Sequence, residues 1–255
     1  MKLHYKSYGE GKPVIIMHGL FGSGDNWRTI ATHLASDYCC IVVDMRNHGR
    51  SPHEDEMNFK LMSEDIRELV IDLGYAQVSL IGHSMGGKVA MTFALTYPEL
   101  VDKLIVVDIA PKKYQPRHQT VIKAIEAVVP EQLNDRSEAE QILSQYLGDD
   151  QSTILFLMKN LTRLQGGGFS WKANMPVIIS SYDQLVDEVI PGHIFKKPCL
   201  FIRGEQSRYI QDEDIPNIRL IFPAAEIKTI SGAGHWVHAD APEAFVKIAN
   251  SFLSS

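Results

Sequence analysis

The sequence predicts an α/β fold in which helices flank a mostly parallel central sheet. One observation is the alternation of short apolar runs with helical patterns, over residues 14–108 and again over residues 198–253. Each strand–helix unit takes about 30 residues, as in βαβ units with right-handed crossovers. A second observation is the stretch at residues 78–97, where an apolar run leads through Gly-His-Ser-Met-Gly into a helical pattern. That order is strand, sharp turn, helix, with a serine at the turn.

Composition limits the class of protein before any motif is considered. The chain has 255 residues, 45% hydrophobic and 22% charged, enough for one large soluble domain with a sizeable core. The net charge of −6, without a basic block, argues against nucleic acid as a partner. No run of about 18 apolar residues and no signal-peptide pattern occurs, so we expect a cytoplasmic protein without a membrane span. Cys39, Cys40 and Cys199 fit buried thiols better than disulfides or a metal site.

The first part of the chain contains predicted strands at residues 3–8, 14–17, 40–44, 78–81 and 104–108. The first alternates polar and apolar residues, as an exposed strand does, and the others are typical of strands buried on both faces. Helical patterns occur at residues 27–35, 58–73 and 89–97. Asp25 or Asn26 can cap the first helix, and Gly74 and Pro98 are expected to end the other two.

The alternation stops after Pro111. Residues 111–196 show helical stretches near 118–129, 137–147, 152–161 and 181–189, with Gly-Gly-Gly at 166–168. It then resumes with strands at 198–203 and 225–230, a helix or turn at 215–222, and a closing helix at 242–253. We therefore predict a core of residues 1–110 and 197–255, with residues 111–196 inserted as a helical cap after the strand ending at Asp108.

Ser84 is the candidate nucleophile. At the apex of a strand–turn–helix its backbone is strained and its hydroxyl stands above the sheet edge, with Met85 N–H pointing to the same space. Gly82 and Gly86 flank it where a Cβ would crowd the turn. Glycine and serine are also common in plain loops; the strand before and the helix after are what favour a nucleophile elbow.

His235 is the candidate general base. A serine hydroxyl needs a neutral imidazole, and that imidazole needs an anion to fix its tautomer. Among ten histidines, His235 follows the last predicted strand in a glycine-rich loop, and such loops share one edge of a parallel sheet. The alternative is an ordinary surface-loop histidine. His238 is expected to be structural, since a His235–His238 metal pair lacks nearby carboxylate or cysteine ligands.

Asp108 is the preferred acid. It ends the strand that follows the elbow helix, where a buried carboxylate can reach the imidazole from the side. Its alternative role is to cap a helix at the entrance to the insertion. The competing acids are Glu205 and the Asp-Glu-Asp sequence at residues 212–214, which follow a later strand.

Backbone amides must stabilise the developing oxyanion, because loss of one donor typically costs about 10²–10³ in rate. Met85 N–H is one candidate. Leu20 N–H is the other, with Phe21 N–H as its alternative, because the loop after residue 17 reaches the same sheet edge. Five other polar residues of these loops are expected to be structural: His18, Arg46, Asn47, His48 and His83. For Arg46, Asn47 and His48, the alternative is a role in binding the substrate.

Four stretches together resemble the α/β-hydrolase superfamily over essentially the whole chain: residues 18–23, 44–51, 82–87 and 232–238. More narrowly, the chain resembles the bacterial YbfF-type esterases, on the phrases at residues 43–49, 108–111 and 234–239. This resemblance implies hydrolysis of small carboxylic esters, with acyl-CoA thioesters as a further candidate. It also implies no metal and no organic cofactor.

The same resemblance assigns roles to residues of matching motifs. Ser84 matches the nucleophile, His235 the base, and Leu20 and Met85 the oxyanion amides. Many members carry the acid after the strand that follows the cap, in a Gly-x-x-Asp loop. Here Ser207 stands at that position, and this departure supports Asp108.

The expected ligand is a small ester or thioester, bound by a monomer or a homodimer. Apolar residues of the insertion could line an acyl pocket or, as we favour for most, pack on the sheet: Ile154, Leu155, Phe156, Met158 and Leu161. A group of cations could meet a phosphate-bearing substrate or, more commonly, form a solvated helix face: Lys112, Lys113, Arg117 and Lys123.

Two other functions compete with the esterase hypothesis. A menaquinone-pathway lyase on the same fold has a similar elbow, but is expected to use the acid after the cap. Lys88 stands where an arginine would help to hold its substrate. A non-enzymatic ligand-binding homologue could keep the pocket and lose a member of the triad, whereas this chain retains all three residue types.

Overall fold

A seven-stranded sheet forms the centre of the molecule, in a computed structural model that describes residues 1–189 and 192–255. Numbered in chain order, its strands are β1 Tyr5–Tyr8, β2 Lys12–Met17, β3 Tyr38–Val43, β4 Val78–His83, β5 Val101–Val107, β8 Cys199–Gly204 and β9 Ala225–Ile230. The spatial order is β1-β3-β2-β4-β5-β8-β9. Only the β1–β3 pair of this sheet is antiparallel. The predicted mostly parallel sheet is therefore confirmed.

Helices cover both faces of the sheet, because successive side chains of a strand point to opposite sides. On one face, Val14 and Ile16 of β2 join an apolar cluster with α1 (Arg28–Leu34) and α11 (Pro242–Ser254). On the other, Ile15 and Met17 join a larger cluster with α2 (Phe59–Asp72) and α3 (Met85–Thr96). The short helices α9 (Ile215–Ile221) and α10 (Val237–Asp240) complete the second half of the core.

Most predicted helix ends agree with the structure, and one differs. The Asn58 side chain caps α2 by accepting the Leu61 N–H at 2.9 Å, and Gly74 follows that helix with φ 72°. The expected cap at Asp25 or Asn26 is wrong, because a 3-10 turn, Gly24–Trp27, precedes α1. Ser23 occupies the cap position of that turn, and its N–H donates to Asn26 Oδ1 at 2.8 Å.

The inserted segment, residues 111–196, is mainly helical in its described part. Its helices are α4 Gln119–Ala127, α5 Arg136–Leu147, α6 Gln151–Met158, α7 Met175–Ser180 and α8 Tyr182–Leu185. The last two predicted helices, 152–161 and 181–189, are shorter than expected. A hairpin that the sequence did not predict joins β6 (Leu161–Arg163) to β7 (Phe169–Trp171). Positive φ angles of 92° at Gly167 and 76° at Gly168 allow the chain to reverse there.

Residues 190–191 of the predicted cap lie outside the described residues, and the division into core and cap stays a prediction. Two of the three thiols are buried as expected, at Cys40 and Cys199, while Cys39 is half-buried. Within the described ranges, no helix is both long and apolar enough to cross a membrane.

Candidate active site

Ser84 lies in the sharp turn between β4 and α3. Its backbone has φ 52° and ψ −116°, a conformation that non-glycine residues rarely adopt and that costs of order 1–3 kcal/mol. A Cβ on Gly82 would lie 2.2 Å from Gly86 O, and a Cβ on Gly86 would lie 2.5 Å from Met17 O. Both glycines are therefore required by close backbone approach.

The carboxylate of Asp108 and the imidazole of His235 come together across the end of the sheet. Asp108 Oδ2 lies 2.7 Å from His235 Nδ1, although 127 residues separate the two in the chain. Because a carboxylate accepts, Nδ1 donates, and in this tautomer Nε2 is the ring nitrogen that can accept a proton. Asp108 is fully buried and has φ 50°, so it is a second strained residue at this sheet edge.

The buried carboxylate has two further donors, one from the last residue of β8 and one from the loop that follows it. Gly204 N–H donates to Asp108 Oδ1 at 3.2 Å, and the Ser207 hydroxyl donates to Oδ2 in a short hydrogen bond. Three donors thus hold one carboxylate in a fixed orientation. Ser207, noticed in the sequence only because it is not an aspartate, contacts the acid directly. The signal that could have indicated this is a hydroxyl in a loop that resembles an acid-bearing one.

The competing acids are engaged elsewhere. Glu205 accepts from Ser231 Oγ and Gly232 N–H, each at 2.8 Å, and is exposed. Asp214 pairs with Lys112 at 2.7 Å, and Asp212 with Arg203 at 2.7 Å. Among the described contacts, the only carboxylate that reaches His235 belongs to Asp108.

Ser84 and His235 line the same cavity, and Leu20 lines it too. No hydrogen bond joins the hydroxyl to the imidazole within the described residues. Such contacts are often long in the absence of substrate and tighten in the complex.

The two backbone amides predicted as oxyanion donors lie beside the serine. Leu20 and Met85 both line a cavity with Ser84. Neither amide donates a hydrogen bond to another described residue, and the Met85 amide is the first of helix α3, which has no partner inside the helix. Phe21 N–H, the alternative donor, already donates to His48 Nε2 at 3.2 Å. The geometry therefore favours Leu20 over Phe21.

His18 and His48 brace the loop after β2. His18 Nε2 accepts the Met45 N–H at 3.0 Å and its Nδ1 donates to Gly19 O at 2.8 Å. Burial lowers the pKa of His18 to about 4 and that of His48 to about 3, so both rings are neutral at pH 7. These contacts agree with the structural roles expected of them.

His83 and His238 surround the base. His83 Nε2 donates to the backbone carbonyl of His235 at 2.9 Å and so ties the elbow to the base-bearing loop. The His238 ring stacks on Trp27 with centroids 4.0 Å apart. Burial lowers the pKa of His238 to about 3 and that of His83 well below its ordinary value.

Arg46 and Asn47 brace the loop after β3. The Arg46 guanidinium donates to both oxygens of buried Asp65, at 2.6 and 2.7 Å. Asn47 has φ 62°, and its Oδ1 accepts the Glu54 N–H at 2.8 Å. Neither side chain lines a cavity that contains Ser84.

Two cavities meet at Ser84. The larger, about 410 Å³, contains His235 and Trp236 in its wall. The smaller, about 40 Å³, has apolar and aromatic groups such as Ile109 and Tyr182 in its wall, together with Lys88 and Arg117. The expected pocket residues divide: Leu155 and Phe156 line the larger cavity, whereas the remaining three are buried in the core, namely Ile154, Met158 and Leu161.

Lys88 lies one turn beyond the nucleophile and is 1% exposed. Its ammonium donates to the carbonyls of Lys112 at 2.9 Å, Val186 at 3.4 Å and Asp187. Burial lowers its pKa to about 7, while nearby Asp187 and Glu188 partly oppose that shift. Lys88 thus connects α3 to both ends of the inserted segment.

Two of the four other predicted cations form ion pairs in the described contacts. Lys112 pairs with Asp214 at 2.7 Å and Lys113 with Asp187 at 2.6 Å, while Arg117 lines the smaller cavity. In the described part of the chain, no three His, Cys, Asp or Glu side chains are grouped as metal ligands would be.

Comparison with known proteins gives the family. A family model described as the alpha/beta hydrolase fold matches residues 12–135. The solved structure of a marine microorganism esterase matches with a TM-score of 0.96 and 42% identity, covering 98% of this chain and 99% of that one.

Curated relatives agree. Esterase YbfF of Escherichia coli K12 is 36% identical over 244 residues, covering 95% of this chain and 93% of the relative. The sn-1-specific diacylglycerol lipase ABHD11 of Xenopus laevis is 39% identical over 257 residues, 96% of this chain and 80% of the relative. The chain therefore belongs to the α/β-hydrolase family, among its esterase/lipase-type members.

Proposed function

We propose that this protein is a serine hydrolase that cleaves small carboxylic esters through Ser84, His235 and Asp108. The observation that carries the proposal is the 2.7 Å contact between Asp108 and His235 Nδ1, on an imidazole that shares a cavity with Ser84. This contact leaves Nε2 neutral and able to take a proton, which a general base requires.

The reaction proceeds in two steps through an acyl-enzyme. His235 Nε2 takes the proton of Ser84 as its oxygen attacks the acyl carbon, and the amides of Leu20 and Met85 donate to the oxyanion. The imidazolium then gives that proton to the departing alcohol oxygen. Water then attacks the acyl carbon as His235 Nε2 takes one of its protons. The bond from the acyl carbon to Ser84 Oγ breaks, the imidazolium returns that proton to Ser84 Oγ, and the acid product leaves.

The two cavities suggest where the halves of the ester bind. The leaving group must face the imidazole that protonates it, and His235 lines only the larger cavity. The acyl chain then occupies the smaller cavity, beside Ile109 and Tyr182. The larger cavity, about 410 Å³ against about 40 Å³ for the smaller, leaves more room for a bulky leaving group, which supports acyl-CoA thioesters as a second substrate class.

Specific contacts argue against the two competing functions. The lyase is expected to use an acid after the cap, where Ser207 donates to Asp108 instead. The Lys88 ammonium, which would have to replace an arginine there, donates to three backbone carbonyls. A binding-only homologue has no need for an Asp–His pair beside a strained serine.

Replacing the nucleophile gives the decisive test. We expect Ser84→Ala to reduce kcat on p-nitrophenyl butyrate by at least about 10⁴-fold, because the covalent route is removed. It should also abolish labelling by a fluorophosphonate. Ser180→Ala, at an exposed serine of α7, is the matched control and should behave as the wild-type protein. Full activity in Ser84→Ala would refute the proposal. Esters from acetyl to palmitoyl, with the matching acyl-CoA compounds, would then define the substrate.

A further inference from the structure

Tyr209, in the loop after β8, covers the imidazole of His235. The two rings are stacked, with centroids 3.9 Å apart and planes 19° from parallel. Burial raises the pKa of Tyr209 to about 12, so the phenol is neutral over the pH range of ordinary assays. A neutral aromatic face therefore lies against the ring that transfers the proton.

Three contacts hold Tyr209 in place. The backbone N–H of Tyr209 donates to Ser207 Oγ at 3.2 Å, and the backbone carbonyl of Tyr209 accepts from the Tyr114 hydroxyl at 2.6 Å. The rings of Tyr114 and Tyr209 also pack, 5.3 Å apart. Tyr114 is itself buried and accepts the Ala110 N–H at 2.8 Å. The stacked tyrosine is thus anchored on the segment that follows Asp108.

We propose that Tyr209 is a positioning residue that keeps the His235 imidazole in plane and stabilises its protonated form during turnover. This inference rests on the proposed function. When the Ser84 proton moves to His235 Nε2, the ring becomes a cation while Asp108 stays ionised. The negative face of an aromatic ring within about 6 Å attracts such a cation. The proton then passes to the leaving oxygen, and the imidazole is neutral again.

The surroundings allow the pH profile to report on this ring. The other titratable groups near it are Asp108, His83, His118 and His238, with Arg117 close to Tyr209. Burial lowers the pKa of His118 to about 4 and that of His238 to about 3, and it lowers the pKa of His83 strongly. His118 and His238 are therefore mostly neutral above pH 5, but Lys88, which lines the smaller cavity with Tyr209 and has a pKa of about 7, titrates in the same window. The Tyr209 variants are therefore compared in a Lys88→Met background, where a shift of the acidic limb reports on His235.

Two substitutions distinguish the effect of the aromatic face of Tyr209 on His235 from the effect of merely shielding His235 with an apolar side chain. Tyr209→Phe keeps the face and loses only the hydroxyl, while Tyr209→Leu keeps an apolar cover and loses the ring. We expect Tyr209→Phe to retain kcat/KM on p-nitrophenyl butyrate within about threefold, and Tyr209→Leu to lose about 3- to 30-fold. The acidic limb of kcat/KM should move to lower pH by about 0.5–1.5 units in Tyr209→Leu, because the imidazolium loses its partner.

A second readout is needed, because Tyr209 also lines the smaller cavity and its loss could weaken substrate binding. NMR titration of the His235 ring proton in the Ser84→Ala background needs no substrate and no turnover. The imidazole pKa should be lower with Tyr209→Leu than with Tyr209→Phe.

Equal pKa values in the two variants, or a higher value with leucine, would overturn the role of Tyr209. The proposed function fails separately, through retained activity of Ser84→Ala alone. The two failures are therefore distinguishable.

Discussion

The loops after β5 and β8 leave neighbouring parallel strands, yet only one of them carries a carboxylate to the base. Val107, the last residue of β5, pairs with Ile202, and β8 continues for two more residues to Gly204 before its loop begins. The β5 loop places buried Asp108 against His235. The β8 loop places the Ser207 hydroxyl on that carboxylate and the Tyr209 ring on the imidazole. Loops from adjacent strand ends thus reach the same imidazole. The β5 loop supplies the carboxylate, and the β8 loop supplies the groups that orient the carboxylate and the imidazole.

The largest expected effect tests which loop supplies the acid. Asp108→Asn should lower kcat about 10⁴-fold, because an amide in place of the carboxylate favours the wrong imidazole tautomer. Glu205→Gln, the matched change in the β8 loop, should leave kcat within a small factor, since its partners are Ser231 and Gly232. Steady-state hydrolysis of p-nitrophenyl butyrate measures both. The reverse ranking would move the acid to the β8 loop.

A relocated carboxylate would sharpen the comparison. Ser207 Oγ contacts the same Asp108 oxygen that lies 2.7 Å from His235, so an aspartate at position 207 is within reach of the imidazole. We expect Asp108→Asn combined with Ser207→Asp to regain about tenfold or more in kcat over Asp108→Asn alone. Asp108→Asn with Ser207→Asn is the control, because it adds similar bulk without charge. No difference between the two double variants would mean that only the β5 strand end can hold the acid.

The smallest effect on turnover concerns Lys88, which holds the chain just beyond the β5 loop through the Lys112 carbonyl. The lysine has a folded-state pKa of about 7 against an ordinary value of 10.5, so the unfolded chain binds the proton more tightly. Burying the protonated lysine therefore lowers the free energy of unfolding, by the full amount below about pH 7. The free energy of unfolding rises again between pH 7 and 10.5, because the folded protein has already released the proton that the unfolded chain still holds.

Urea denaturation at pH 7 and 9.5 checks this sign. The stability of the wild type relative to Lys88→Met should increase by about 3 kcal/mol between the two pH values. We expect kcat of Lys88→Met to change by a small factor only. A stability difference that is constant with pH would show that Lys88 has an ordinary pKa in the fold.

Several features of the site could be predicted from local sequence alone. The strand–turn–helix around Ser84 follows from Gly82, Gly86 and the apolar run before them, because the crowding that demands glycine is among nearby backbone atoms. The preference for Asp108 over Glu205 rested on its place at a strand end and on the resemblance, since Ser207 stands where many members of the family carry the acid. The roles of these residues in catalysis remain predictions until the variants are measured.

Other features could not be predicted, because their partners are remote. The hairpin Leu161–Arg163 with Phe169–Trp171 has strands of three residues, too short for a periodic signal. The loop pattern around Ser207 is only an indirect signal of its hydrogen bond to Asp108, and no local pattern indicates that Tyr209 stacks on His235.

The sequence by itself determined the α/β architecture, the strained serine turn and the set of candidate acids and bases, because periodicity and glycine spacing act within one or two elements. Only the tertiary structure decided which carboxylate meets the imidazole and what holds both in place. Those contacts span 99 residues between Asp108 and Ser207 and 127 between Asp108 and His235. Contacts between residues so far apart in the chain depend on how strands pair and helices pack, and short-range patterns in a single sequence do not contain that information.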